Sequence, residues 1–366
     1  MSPPASTSPS IAPLDDALRR AYTLARCVDY GCLPADAQAL HDGVSAGRTW
    51  LAGARALGEA HERAAVHAQD PAQARAAWLA AAACFRVGQA ALEDEPAERL
   101  ALYLRSTGAF GQALGGEVGV QRLLTRHQAR AHGGWLFRAP AHTARPGCVL
   151  IWGGADGWAE AFHAWVPALH AHGLSVCLTE LPGQGLARLQ SGSHLARHYT
   201  QMVSTLIDDL SGLLGPQAGR FALVGNSLGG SLALRAAADD ARVAACVTNG
   251  GSIDPGAGMA AFPRAARRLC ALLGPSATTD DALRLLGELD LPGAARSMAG
   301  ALLCVHGGQD PLVSDAEVER LCRAREDLSL MRWDDGVHCI YNHAAERNAR
   351  VSAWIATQLA EAPARG

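Results

Sequence analysis

The apolar positions of this chain follow two different rhythms. From residue 14 to about residue 114 they recur at helical spacing, and nothing alternates with period two. Asp15 to Cys27 is one predicted helix. Thr49 to Ala68 is another, with Trp50, Leu51, Ala54 and Leu57 on one face. Asp70-Pro71 starts a third, with Asp as N-cap and Pro in the first turn. It runs through Trp78, Leu79, Ala82, Phe85 and Ala90. Glu93-Asp94-Glu95-Pro96 punctuates, and Ala97 to Leu114 forms the next helix.

The rhythm changes at Gly115-Gly116. Val118 to Leu124 and Gln128 to Arg138 read as two strands of a hairpin or meander. Apolar runs of strand length follow at Cys148–Trp152, Leu174–Leu178, Phe221–Val224, Val243–Thr248, Ala301–Val305 and Leu328–Trp333. Between them lie amphipathic stretches at Trp158–His172, Leu195–Leu214, Leu228–Ala238, Asp315–Arg325 and Tyr341–Leu359. Such alternation predicts an α/β fold: a mainly parallel sheet with helices on both faces. Asp254 to Ser297 interrupts it with a long helical insertion, placed where such sheets carry their sites. The expected organisation is a disordered leader over 1–13, a helical domain over 14–114 and an α/β domain over 115–366. The 254–297 insertion is expected near the site.

One short motif gives this plan a chemistry. Gly225-Asn226-Ser227-Leu228-Gly229 stands between the run Phe221–Val224 and a helical stretch. Strand, tight turn with a central serine, helix is the context of a G-x-S-x-G nucleophile elbow. A serine nucleophile needs a base, and the base needs an acid to orient it. Asp310 follows the strand Ala301–Val305, and His338 follows the last strand, so both belong to the same sheet edge as Ser227. His343 and Asp315 are the rivals; the first falls in the final helical stretch, and the second suits a helix N-terminus. His306 reads as the end of its strand and Cys339 as packing.

An oxyanion needs two N–H donors. Leu228, after the nucleophile, supplies one. The loop Gly153-Gly154-Ala155-Asp156-Gly157 should supply the other, from Ala155 with Gly154 as the alternative. Gly154, Asp156 and Trp158 are candidate substrate contacts, although Asp156 reads first as a helix N-cap. Glu180 to Gly185 reads as a turn beside the same cleft. The arginines between Arg122 and Arg138, and those at 264–268, read as solvated faces.

Composition narrows the classes. The 366 residues carry a net charge of −3 and no basic stripe, which disfavours a nucleic-acid partner. No apolar run reaches membrane-spanning length. The ten cysteines are scattered without a C-x-x-C pair, as expected of reduced thiols in a cytoplasmic protein. No spacing suggests a metal or other cofactor. The chain contains no lysine at all, so Schiff-base and Ser-Lys chemistry is excluded.

The motifs together resemble one branch of the α/β-hydrolases: the FrsA-like esterases, 2,6-dihydroxypseudooxynicotine hydrolase and the fungal polyketide chain-shortening hydrolases. The resemblance rests on Trp152-Gly153-Gly154-Ala155-Asp156, Pro182-Gly183-Gln184-Gly185, Gly225 to Gly230, Asn249-Gly250-Gly251, His306 to Asp310 and His338-Cys339. The helical N-terminal region matches too, above all Cys84-Phe85-Arg86-Val87-Gly88-Gln89. The chain departs from the branch in carrying Glu180-Leu181 before Pro182. The resemblance implies a Ser227-Asp310-His338 triad, a helical cap over the site and a homodimer. It also implies hydrolysis of a small carbonyl substrate at an ester, a thioester or a C–C bond beside a ketone. The same acyl-enzyme could pass to another acceptor, making a transferase or cyclase. A non-catalytic regulatory protein on the same fold is the reading from another class.

Overall fold

The computed structural model describes residues 13–93, 95–256 and 262–361. The expected leader lies almost wholly outside these, as does part of the 254–297 insertion. The chain divides into two compact units, Met1–Gly116 and Glu117–Gly366.

The first unit is helical throughout its described residues: α1 (Pro13–Ala21), α2 (Leu24–Asp29), α3 (Pro34–Ser45), α4 (Trp50–His67), α5 (Pro71–Gly88) and α6 (Pro96–Ala113). Asp70 caps α5 by accepting from the Ala72 and Gln73 N–H groups. The single helix expected over Asp15–Cys27 is two. Thr23 takes an extended ψ of 161° and caps α2 by accepting from Arg26 N, which restarts the helix. The α3 helix was not foreseen, because its apolar face is thin. Trp50 and Phe85 are fully buried in this unit. A Cβ at Gly58 would stand 2.4 Å from the Phe85 ring, so only glycine lets α4 approach α5 there.

The second unit is an eight-stranded sheet: β1 (Val120–His127), β2 (Arg130–Phe137), β3 (Cys148–Trp152), β4 (Ser175–Thr179), β5 (Phe221–Asn226), β6 (Val243–Asn249), β7 (Ala301–Gly307) and β8 (Ser329–Trp333). The order across the sheet is β1-β2-β4-β3-β5-β6-β7-β8. The first two strands form an antiparallel hairpin and β2 is antiparallel to β4; every other pairing is parallel. The central strands are buried on both faces, which is why each reads as a continuous apolar run.

Helices α7 (Trp165–His170), α8 (Gly185–Leu189), α9 (Tyr199–Leu214), α10 (Leu228–Asp239), α14 (Asp315–Ala324) and α15 (Ala344–Glu361) fill the crossovers and the C-terminus. The insertion adds α11 (Pro263–Leu273), α12 (Thr279–Glu288) and α13 (Leu291–Ser297). His343 closes a 3-10 turn before α15 and does not lie inside it; its Nε2 meets Asp335 Oδ1 at 2.9 Å. No described helix is long and apolar enough to cross a membrane.

Candidate active site

The sheet edge at the C-terminal ends of β3, β5, β7 and β8 gathers the chemistry. Ser227 forms the turn from β5 into α10 at φ 57° and ψ −134°. A positive φ at a residue with a side chain costs on the order of 1–3 kcal/mol and persists where the surroundings over-determine it. Here Ser227 N donates to Asn249 O at 2.8 Å, and Gly230 N donates to Ser227 O at 2.8 Å. The neighbouring glycines serve close approach. A Cβ at Gly225 would lie 1.9 Å from Gly229 O, and one at Gly229 would lie 2.5 Å from Gly153 O.

Ser227, His338 and Asp310 form one hydrogen-bonded chain. His338 Nε2 is 2.9 Å from Ser227 Oγ, and His338 Nδ1 is 2.8 Å from Asp310 Oδ2. The Asp310 carboxylate has no exposed surface. Its other oxygen accepts from Leu312 N at 2.8 Å and Val313 N at 3.2 Å. Burial works to raise the Asp310 pKa, but the His338 charge and these donors outweigh it and hold the carboxylate below its ordinary range. Burial likewise works against a charged His338, yet Cys339 and Asp310 outweigh it and the imidazole titrates above its ordinary value. The Cys339 Sγ–H donates to Asn249 O at 3.4 Å, so the lasting negative charge beside the ring is that of Asp310.

His338 sits on a strained loop that the sequence did not reveal. Cys339 and Ile340 follow it at φ 53° and 56°. The Cys339 carbonyl is gripped by Arg347 Nη1 at 2.6 Å and Asn249 Nδ2 at 3.3 Å. Arg347 is buried against the Trp165 ring. Asn249 Nδ2 also donates to Asn226 Oδ1 at 2.7 Å, and Asn226 Nδ2 donates to Trp152 O at 3.1 Å, tying β3, β5 and β6 to the histidine loop.

A cavity of about 90 Å³ opens beside these groups. Its walls are mostly apolar: Ala155, Leu228, Ala265, Leu269, Leu312 and Val313, together with Ser227 and His338. Ala155 and Leu228 therefore line the same cavity as Ser227. Among the described residues, neither of their N–H groups donates to a protein acceptor. Gly154 underlies this arrangement: a Cβ there would stand 2.9 Å from Ser227 Cβ and 3.0 Å from Leu228 N.

The cavity lining includes none of the three candidate substrate contacts Gly154, Asp156 and Trp158. Trp158 is buried, and it precedes a 3-10 turn that no side chain caps. The N-cap reading of Asp156 is corrected by its partner. Its Oδ1 lies 2.9 Å from Arg268 Nη2 and 3.7 Å from Arg264, and both members of the first pair are buried. That also corrects the reading of 264–268 as a solvated face. Arg268 lies on the inner side of α11 and donates to Ala155 O at 3.3 Å as well. The turn after β4 does more than shape the cleft: Gln184 is buried in it and reaches the carbonyls of Gly153 and Gly154. Glu180, where the chain departs from the branch it resembles, accepts from Leu186 N in the first turn of α8 at 3.0 Å. His306 pairs with Asp315 at 2.8 Å, away from the cavity lining.

No metal-ligand spacing is legible in the sequence, but the helical unit brings Asp36, His61 and Cys84 together. A hydrogen-bond network accounts for them: His61 Nε2 lies 2.8 Å and Cys84 Sγ 3.8 Å from Asp36 Oδ2.

Comparison with known proteins agrees with this architecture. Residues 148–290 match the family model described as alpha/beta hydrolase fold. The hydrolyase poxO of Penicillium oxalicum is 30% identical over 245 residues, covering 61% of this chain and 55% of its own. The 2,6-dihydropseudooxynicotine hydrolase of Paenarthrobacter nicotinovorans is 25% identical, covering 57% of this chain and 56% of its own. The chain thus spans about half the length of the curated relatives it matches. Among solved structures, 2,6-dihydroxy-pseudo-oxynicotine hydrolase superposes with a TM-score of 0.78 at 20% identity, over 92% of this chain and 96% of that one. AbyA5 superposes with a TM-score of 0.71 at 20% identity, over 94% and 99%. The chain carries the α/β-hydrolase fold, and its relatives fall in the branch that its motifs resemble.

Proposed function

We propose that this protein is a serine hydrolase acting on a small carbonyl substrate with an apolar acyl group. The observation that carries the reading is the chain Ser227 Oγ–His338 Nε2 at 2.9 Å and His338 Nδ1–Asp310 Oδ2 at 2.8 Å. Ser227 Oγ attacks the carbonyl carbon as His338 Nε2 takes its proton. Asp310 fixes the tautomer and stabilises the imidazolium. The Leu228 and Ala155 N–H groups hold the oxyanion. Collapse breaks the bond to the leaving group, which takes the proton back from His338. Water then attacks the acyl-enzyme, His338 again acting as base. The leaving group is an alcohol, a thiol or, for a C–C bond beside a ketone, the enolate carbon. The apolar walls of the cavity support an apolar or aromatic acyl group. The N-terminal helical unit fits a cap domain.

A fluorophosphonate probe tests the reading. Covalent labelling at Ser227, abolished by Ser227→Ala and accompanied by turnover of aryl esters or β-diketones, is expected. A folded wild-type protein that takes up no label at Ser227 overturns it.

A further inference from the structure

We propose that a second pocket, at the β1–β2 hairpin, binds a small anion bearing a phosphate or carboxylate group. The pocket is a separate cavity of about 240 Å³ whose lining includes neither Ser227 nor His338. Its walls carry His127, Arg130, His132, His194 and His198, and no carboxylate.

The hairpin builds one wall. Its register sets His127 opposite Arg130 and Thr125 opposite His132. Arg130 and His132, two residues apart on β2, share a face with His127. The connecting residues Gln128 and Ala129 both take positive φ, 48° and 60°, without being glycine. The strain sits at the pocket, since Gln128 is also part of the lining. The segment leading into α9 builds the other wall with His194, His198 and Tyr199. The tyrosine hydroxyl is already used, donating to Leu232 O at 2.6 Å.

Three ring nitrogens in this pocket lack a partner. His127 Nε2, His132 Nδ1 and His194 Nδ1 are buried without a hydrogen bond. His132 is 2% exposed, so solvent does not satisfy it. A buried polar atom left unpaired is a cost that a ligand removes. The surrounding charge selects the sign of that ligand. Burial, His127 and Arg130 push His132 down to about 4. Burial, Arg188 and Arg130 lower His194, and burial with His198 lowers His127. A metal cation would meet the guanidiniums of Arg130 and Arg188. An anion is attracted by both, and it raises the histidines so that they take up protons and donate.

Calorimetric titration of the full chain with inorganic phosphate and with acetate, in buffers of different ionisation heat, tests this. Saturable binding with proton uptake is expected, at least fivefold tighter at pH 6 than at pH 8. Affinity falls at least tenfold in Arg130→Gln and in His132→Gln, while Ser227 labelling persists. Arg130 is exposed on the hairpin, so its variant reports even if the buried histidine variant does not fold. Phosphate bound without acetate assigns a phosphoryl ligand, and the reverse a carboxylate. The proposal fails if neither anion saturates, or if binding is unchanged in Arg130→Gln. It also fails if zinc binds in their place with proton release.

Discussion

Gln184 donates from Nε2 to the Gly154 carbonyl at 2.8 Å, and so the turn after β4 holds the loop after β3 in place. The same amide nitrogen reaches Gly153 O at 2.9 Å, and Oε1 accepts from Leu181 N at 2.8 Å. A buried side chain thereby fixes the peptide that leads to Ala155, the proposed second oxyanion donor.

Gln184→Ala removes this brace. Two carbonyls and one N–H lose their partners in a buried place, at about 1–3 kcal/mol for each group left unsatisfied. Losing an oxyanion donor outright costs about 10²–10³ in kcat. Displacing one should cost less, roughly tenfold to a hundredfold, with KM little changed. Steady-state kinetics with an aryl ester checks it. A change confined to KM would show that Gln184 shapes substrate binding and not the donor loop.

Gly154→Ala is the sharper test of the same loop. The added methyl would stand 2.9 Å from both Asn226 O and Ser227 Cβ, and neither is a flexible side-chain tip. Either the elbow or the donor loop must shift. The expectation is loss of at least a hundredfold in kcat/KM, since small misplacements at a reacting centre carry penalties of about that size. Near-normal turnover would place the second donor elsewhere.

How much of this was legible in the sequence follows from the range of the interactions. The six apolar runs expected after the hairpin became β3 to β8 within two residues at each end. For β3 to β7 the reason is that double burial writes itself as continuous hydrophobicity, whereas β8 is half-exposed. Ser227, Asp310 and His338 were nameable because strand-end loops give each a local context. The pairing of Asp156 with Arg268 was not, since the 111 intervening residues leave no periodic trace and an arginine-rich helix usually faces water. Gln184 did leave a signal. A polar residue between two glycines that each take positive φ, Gly183 and Gly185, marks a turn whose side chain has a fixed target. The grip on Cys339 by Arg347 was hidden, because a helix pattern does not show which arginine turns inward.

The Asp156–Arg268 pair should behave as a buried ion pair. Arg268→Ala leaves a carboxylate stranded in the interior, which typically costs about 3–5 kcal/mol. Arg264, 3.7 Å away, can recover part of that. Replacing both partners, as in Asp156→Asn with Arg268→Leu, should cost clearly less than the sum of the single changes. Thermal or urea unfolding of the three variants reads the coupling. Strict additivity would mean that the pair holds nothing together.

The pH dependence of turnover follows from the same electrostatics. His338 must be neutral at Nε2 to accept the Ser227 proton, and the Asp310 carboxylate favours its charged form. The folded-state pKa is therefore raised, and the base form appears only as pH rises past it. The kcat/KM profile should climb with pH through a midpoint above 6.5, the ordinary histidine value. Asp310 itself is held below its usual range, so its protonation should not set this limb. In Asp310→Asn the charge that holds the imidazolium is gone. The midpoint should move to lower pH while the plateau falls by about 10⁴, as for an acid-to-amide change in a serine triad. An unmoved midpoint in that variant would show that another group sets the titration of His338.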